Sequence, residues 1–341
     1  MDKLVTVIIP AWNAERWLEN TLRSVLNQSH RRLRVLVIDD GSSDGTAALL
    51  ARLRQEDPRL DYRTVPNGGP AAARNRALEL LDPETDYVMF LDADDLLEPD
   101  ALAYALENTQ GAELVIFGFA IQQMDGSLRP YCERELLLDR QGLGAQLGRL
   151  YKANLLNQVW AKLFAASLVR DLRFPDYRWG EDRLFLFRAL ERANTLKVLP
   201  EWKHRYVMHE GESLITRYYE KKFDVSCEID GRMEELCRLF GVREEADFRY
   251  MFAKSVFSCL TNLYARSCRL TRAEKRAVVR RIVNEPRVLR RCRDCSGGFA
   301  VRFLCGVVRS RQVGLNLFCF RLVAWAGEHF PRLFTRIKHR K

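Results

Sequence analysis

No stretch of this chain is apolar enough to cross a bilayer. Its longest apolar runs are about a dozen residues and usually contain an arginine, where a spanning helix needs roughly 18 or more. An integral membrane protein is therefore not expected. Proline (11) and glycine (19) are sparse among 341 residues, and 47% of the residues are hydrophobic. That excludes collagen-like, low-complexity and wholly disordered classes. The length suggests two domains, or one large domain with an appendage, and a sizeable core. The nine cysteines are odd in number and scattered, unlike a secreted disulfide framework. The opening run MDKLVTVIIP is too short and too early for a signal peptide. A reduced, cytoplasmic protein is expected.

Acidic residues are scarce in one region only. Residues 251–341 hold 21 basic and 4 acidic residues, and 221–341 hold 27 and 12. The remaining 220 residues hold 28 basic and 33 acidic residues, a net of −5 beneath an overall +10. An acidic body thus carries a basic C-terminal third. Such a patch suits nucleic acid, an anionic membrane surface, or a solvated helical face.

Periodicity gives the organisation. Residues 4–9 form a buried-strand run ended by Pro10, and 14–27 space Trp17, Leu18, Leu22, Val25 and Leu26 as a helix. Strands at 34–38, 61–65, 87–91 and 113–119 follow, with helices between them. Ser42 or Ser43 is expected to cap the second helix, and Pro70 to open the third. Gly126 reads as a hairpin tip, 158–170 as a short strand or turn and a helix, and 181–193 as a helix. This alternation implies an α/β fold with a doubly wound, mainly parallel sheet. The expected division is 1–120, 121–216 and a helical, basic 217–341, the last boundary resting on composition alone.

In such sheets ligands bind beyond the carboxyl ends of the strands. Three clusters fall there: Pro10 to Glu15, Asp39 to Ser43, and Asp92 to Asp95. Asp92-Ala93-Asp94 places two carboxylates where they can share a hard divalent cation, or else solvate a loop. Asp39-Asp40-Gly41-Ser42 can meet an imide N–H or ribose hydroxyls, or serve as a capping turn. Glu181-Asp182 offers a general base, or favourable charge at a helix start. Arg74 can pair with phosphate, or be an ordinary surface arginine.

Four runs, VTVIIPAWNAERWLENTLRSVLNQ, VLVIDDGSSDGT, NGGPAAARNRAL and YVMFLDADD, resemble in order the N-terminal signature of glycosyltransferase family 2. VWAKLF at 159–164, RWGEDRLFLFRAL at 178–190 and HEGESLIT at 209–216 are similar to the acceptor half of bacterial exopolysaccharide, capsule and lipopolysaccharide sugar transferases. The resemblance covers about 1–220. It implies a GT-A fold, a nucleotide-sugar donor and Mn²⁺ or Mg²⁺.

It also implies roles. Pro10, Ala11, Trp12, Asn13 and Glu15 line the nucleotide pocket, with Trp12 standing where tyrosine is usual. Asp40 meets a uracil and Asp39 supports its turn, while Arg74, Gly68 and Gly69 lie near the donor. Asp92, Ala93 and Asp94 match the Asp-X-Asp motif, with Asp94 the direct metal ligand and Asp92 beside it. Asp182 matches the catalytic base, and His209 falls near a further metal or phosphate contact. Ala161 stands where a small polar residue or asparagine is common.

The expected activity is an inverting transfer of a hexosyl or N-acetylhexosaminyl group from a UDP-sugar to a glycan or polyprenyl-linked oligosaccharide in surface polysaccharide synthesis. The basic third, with VRFL at 301–304 and LNLFCFRLVAW at 315–325, suggests peripheral docking at the inner membrane face. No nucleic-acid motif accompanies its charge. Cys292 and Cys295 lack the second pair that a zinc site needs. The alternatives are a sugar nucleotidyltransferase, for which a phosphate loop near the first strand is missing, and a noncatalytic basic binding protein.

Overall fold

The computed structural model describes residues 3–209, 217–242, 246–293 and 295–329. The chain divides into two compact units, residues 1–210 with 239–241, and residues 211–238 with 242–341.

The first unit opens with β1 (Val5–Ala11), α1 (Leu18–Leu26), β2 (Leu33–Asp39), α2 (Thr46–Glu56), β3 (Leu60–Thr64), α3 (Pro70–Glu79) and β4 (Tyr87–Phe90). It continues with β5 (Leu96–Leu97), α4 (Ala101–Glu107), β6 (Leu114–Gln122), β7 (Leu128–Tyr131), β8 (Leu136–Asp139) and α5 (Arg140–Lys152). β9 (Lys162–Ala165), α6 (Ala166–Val169), α7 (Glu181–Arg192) and β10 (Thr195–Val207) complete it. One sheet runs β3-β2-β1-β4-β9-β6-β10-β5, with β7 beside β6 and β8 beside β10.

The β3-β2-β1-β4 part is parallel. Val5, Val7, Ile8 and Ile9 are buried, as expected of a central strand covered on both faces. Beyond β4 the sheet is mixed. β9 lies antiparallel to both β4 and β6, and β10 returns parallel to β6. The Gly126 turn joins β6 to the antiparallel β7.

Two expectations are corrected here. β1 does not end at Pro10 but runs to Ala11, with Pro10 opposite Ile38. The last β1–β4 pair is Ile8 with Phe90, so the missing proline N–H faces a side where the ladder has already ended. Neither Ser42 nor Ser43 caps α2. That helix starts at Thr46, whose N–H and hydroxyl both donate to Asp44 Oδ1, at 3.0 and 2.6 Å.

The second unit comprises α8 (Lys222–Leu239), α9 (Ala246–Asn262), α10 (Arg272–Asn284), α11 (Pro286–Arg293), α12 (Phe299–Arg309) and α13 (Val313–His329). Phe252, Val256, Leu260, Ile282, Val308 and Phe320 build its core. A reciprocal Thr271–Glu274 capping box opens α10. All nine cysteines are free thiols. Among the described residues no group of three or more His, Cys, Asp or Glu side chains is arranged to hold a metal, and no helix is long and apolar enough to cross a membrane.

Candidate active site

The carboxyl edge of β1, β2 and β4 gathers the three clusters, because parallel strands send their following loops to the same side. The first two loops are stitched together by side chains. Asn13 donates its N–H to Ser42 Oγ (2.9 Å), and its Oδ1 accepts from Ser43 N (2.8 Å). Glu15 Oε2 accepts from Gly45 N at 2.9 Å. A Cβ on Gly45 would stand 2.3 Å from the Glu15 carboxylate, so a larger residue would displace that bond. Asn13 itself has φ 48°, a left-handed conformation that asparagine tolerates better than most residues.

Asp39 and Asp40 are both buried and both bonded within the protein. Asp39 accepts from Ser42 N and from Thr64 Oγ1, each at 3.0 Å. Asp40 turns its oxygens to the next loop, accepting from Gly68 N (2.8 Å), Gly69 N (2.7 Å) and Asn67 Nδ2 (3.1 Å). Gly41 has φ +68°, and a Cβ there would meet Asn67 N at 2.9 Å. Only glycine fits that crossing of two backbones. Gly69, at φ +87°, turns the chain into Pro70, the first residue of α3.

α3 then delivers Arg74 to the centre of the site. The side chain is 4% exposed, which corrects the surface-arginine alternative. Nη1 donates to Asp182 Oδ1 (2.8 Å) and Glu181 Oε1 (3.2 Å), and Nη2 donates to Asp92 Oδ1 (2.8 Å). The guanidinium also lies 5.4 Å from the Phe174 ring centroid. Asn75 fixes that segment by accepting from Phe174 N and donating to Phe174 O. Burial opposes the arginine's charge, but Asp182, Asp92 and Glu181 outweigh it and hold its pKa above the ordinary value.

The acidic pair begins α7, just after the left-handed Gly180. Burial, together with the neighbouring Asp182 charge, pushes Glu181 up to about 8 against the pull of Arg74. Burial likewise raises Asp182, while Arg74 and a backbone hydrogen bond from Val159 oppose the rise. Asp182 is the more open of the two, at 19% side-chain exposure against 10%.

Asp92, Ala93, Asp94 and Asp95 divide their tasks. Ala93 O accepts from Thr21 Oγ1 of α1 (2.9 Å). Asp94 keeps 44% of its side chain exposed, and burial of the remainder, with Asp95 and Asp92 nearby, pushes its carboxyl up to about 7. Its Oδ2 stands 3.5 Å from His209 Nε2. That nitrogen is buried and has no hydrogen-bond partner. The His209 ring stacks on Trp17 at 3.9 Å, and Arg16 covers the same indole. Crowded carboxylates and an orphaned imidazole nitrogen fit a divalent cation by their chemistry.

Asp95 instead turns inward. Its Oδ2 is hydrogen-bonded with His204 Nε2 (2.9 Å), and its Oδ1 accepts from Val207 N (3.0 Å). His204 stacks on Trp160 at 4.4 Å, and burial pushes its pKa down to about 3. Beside it, Lys162 is fully buried and donates to Trp160 O at 3.3 Å, and burial pushes it down to about 7 against the pull of Asp182.

The structure thus brings Asn13, Glu15, Asp39, Asp40, Gly69, Arg74, Asp92, Ala93, Asp94, Asp182 and His209 to one edge of the sheet. Pro10 and Ala11 lie in β1 itself, and Trp12 projects outward, 53% exposed. Of HEGESLIT, only His209 falls within the described residues. Sequence reasoning missed three participants. Trp17 looked like one more apolar residue of a helix. Lys162 carried a signal that went unread, since a charged residue inside an apolar run is either paired or functional, whereas His204, between Lys203 and Arg205, carried none.

This is a mixed α/β unit whose loops focus a carboxylate cluster at a strand edge. A family model described as glycosyl transferase family 2 matches residues 6–164. An uncharacterized glycosyltransferase of Haemophilus influenzae is 40% identical over 193 residues, covering 56% of this chain and 73% of the relative. The putative teichuronic acid biosynthesis glycosyltransferase TuaG of Bacillus subtilis is 37% identical over 127 residues, 36% of this chain and 50% of TuaG. The fold is similar to S. aureus TarS 1–349 solved in complex with UDP-GlcNAc, with a TM-score of 0.66 at 20% identity, over 95% of this chain and 91% of that one. The chain belongs to glycosyltransferase family 2.

Proposed function

We propose that the chain is an inverting glycosyltransferase. It moves a hexosyl or N-acetylhexosaminyl group from a UDP-sugar to a hydroxyl of a glycan or lipid-linked oligosaccharide, in surface polysaccharide synthesis at the inner face of the membrane. The observation that carries this reading is the Arg74 hub. One buried guanidinium fixes Asp92, of the Asp-X-Asp loop, beside Glu181 and Asp182 at the start of α7. Donor-side and acceptor-side carboxylates are thereby held within one arginine's reach.

Asp182 acts as the base, taking the proton of the acceptor hydroxyl as it attacks the anomeric carbon. The carbon–oxygen bond to the diphosphate breaks as the new glycosidic bond forms, through an oxocarbenium-like transition state. Burial and the neighbouring Asp182 charge raise Glu181 above the ordinary carboxylate range, which weakens the charge it sets against the base. Asp94 would hold Mn²⁺ or Mg²⁺ together with donor phosphate and water, with Asp92 and His209 beside it rather than as a three-ligand set. The cation supplies Lewis-acid stabilisation of the departing nucleoside diphosphate. Pro10, Ala11, Trp12, Asn13 and Glu15 shape the nucleotide side, and Asp40 acts there by holding the Asn67–Gly69 loop against it. The similarity to a structure holding UDP-GlcNAc and to a teichuronic acid enzyme supports the donor and pathway class.

The test is a donor screen. Purified protein with Mn²⁺ or Mg²⁺ is offered each common nucleotide sugar and scored by nucleoside diphosphate release and thermal shift. Metal-dependent stabilisation and turnover with a UDP-sugar, both lost in Asp94→Ala, is the expected result. Inorganic pyrophosphate release from a nucleoside triphosphate and sugar phosphate would instead identify a nucleotidyltransferase.

A further inference from the structure

We propose that α13, together with α12, docks the chain on an anionic phospholipid surface, with α13 lying in the plane of the interface. The surface is apolar in a regular way. Leu315, Phe318, Leu322 and Trp325 are 38, 61, 47 and 50% exposed. Their spacing of three, four and three residues puts them on one stripe of α13. The opposite stripe is occupied, since Asn316 and Phe320 are buried in the unit's own core. On α12, Phe299 and Phe303 are 79 and 54% exposed, stacked on each other at 6.3 Å. Gly306 and Gly314 have nothing within 4 Å of a would-be Cβ, so the surfaces around them are open.

The charge selects the occupant. From Cys295 through Gly327 there is no aspartate or glutamate, while Arg302, Arg309, Arg311 and Arg321 are all exposed. Residues 330–341 add five more basic residues and no acidic one. A second copy seated on the stripe would bring a like-charged region against its own. Anionic lipid headgroups pair with the arginines while the aromatic side chains enter the headgroup boundary. Among the described residues neither helix is long and apolar enough to span a membrane, and the one-sided apolar stripe suits a helix lying in the interface plane. The inference rests, for its purpose, on the membrane-carried acceptor proposed above, and it adds the docking face.

The full chain is sedimented with vesicles of phosphatidylcholine alone and of phosphatidylcholine with phosphatidylglycerol. Binding at least ~10-fold stronger to the anionic vesicles is expected, and it should weaken steeply with added salt. The double variant Phe318→Ser/Trp325→Ser should lose about 10-fold or more of that binding. Arg302→Gln/Arg309→Gln/Arg321→Gln should lose the preference for anionic lipid. Unchanged melting temperatures show that these exposed changes leave the fold intact. Equal binding to both vesicles, or full binding by the double variant, overturns the proposal. So does sedimentation velocity showing a dimer that the double variant dissociates, because the stripe is then a self-association face. Donor hydrolysis in vesicle-free solution is read in parallel and should be the same in both variants and the parent. Vesicle binding without any donor hydrolysis would keep this proposal and remove the catalytic one.

Discussion

Arg74 Nη1 lies 2.8 Å from Asp182 Oδ1, although 108 residues separate the two in the chain. The contact joins α3, the helix that follows the third strand, to α7, the helix that opens with Glu181 and Asp182. It makes one electrostatic unit of residues that the sequence presents as two distant motifs.

Arg74→Met should destabilise the first unit by about 3–5 kcal/mol, because it leaves Asp92, Glu181 and Asp182 facing one another without a cation. Thermal melts should show the deficit shrinking as pH falls, since the stranded carboxylates can then take up protons. Arg74→Lys should rescue little. A single ammonium cannot reproduce a fork that spans three carboxylates. A full rescue by lysine would show that charge alone matters.

Asp182→Asn should lower turnover by about 10²–10⁴-fold while nucleotide-sugar binding, read by thermal shift, is retained. Glu181→Gln should cost far less, because burial already biases the native glutamate toward its neutral form. If Glu181→Gln proves the more damaging change, the two roles are reversed.

Asp94→Ala should abolish the extra thermal stabilisation that Mn²⁺ adds to a bound UDP-sugar. His209→Ala should weaken metal dependence without abolishing it, since the carboxylate remains. Titration of Mn²⁺ against nucleoside diphosphate release, at fixed donor, measures both shifts. An unchanged half-saturating metal concentration in both variants would remove Asp94 and His209 from the metal site.

Lys162 is pushed down to about 7 by burial, from an ordinary 10.5. Between those values the unfolded chain binds the proton that the folded chain has released, so this lysine makes stability rise with pH across that window. Below about 7 the folded state must carry a buried ammonium. Lys162→Met should therefore raise the melting temperature at pH 7, by roughly 5 °C or more. Its advantage should narrow steadily toward pH 9.5. Calorimetry between pH 6.5 and 9.5 checks the slope. A constant difference across that range would mean that the lysine's charge is already compensated.

Much of the first unit was legible because its signals are local. VTVII, RVLVI and YVMFL read as buried strands because they are short, apolar and in large part β-branched, and are followed by turn residues, as a doubly covered strand requires. The three loop clusters could be assigned to one edge from strand polarity alone. The capping of α2 was misjudged because serine before a helix is a good cap only if its side chain is free, and Ser42 and Ser43 bond Asn13 instead. The antiparallel β9, which inserts between β4 and β6, has no marker in its four residues. Its place is set by the aromatic packing of Phe164 against Phe90 and Phe185.

Sequence by itself determined the chemistry that is available: carboxylates at strand ends, an acidic pair at a helix start, an arginine between glycines and core, and a basic aromatic C-terminal third. Residue type and order are enough for that, because strand polarity and helix periodicity follow from short-range geometry. Only the tertiary structure decided which groups answer one another. It spent Asp40 on the Asn67–Gly69 loop, buried Arg74 among three carboxylates, turned Asp95 inward to His204 and set His209 on Trp17. Those pairings depend on distances across as many as about 110 residues of chain, and on which charges the fold removes from water.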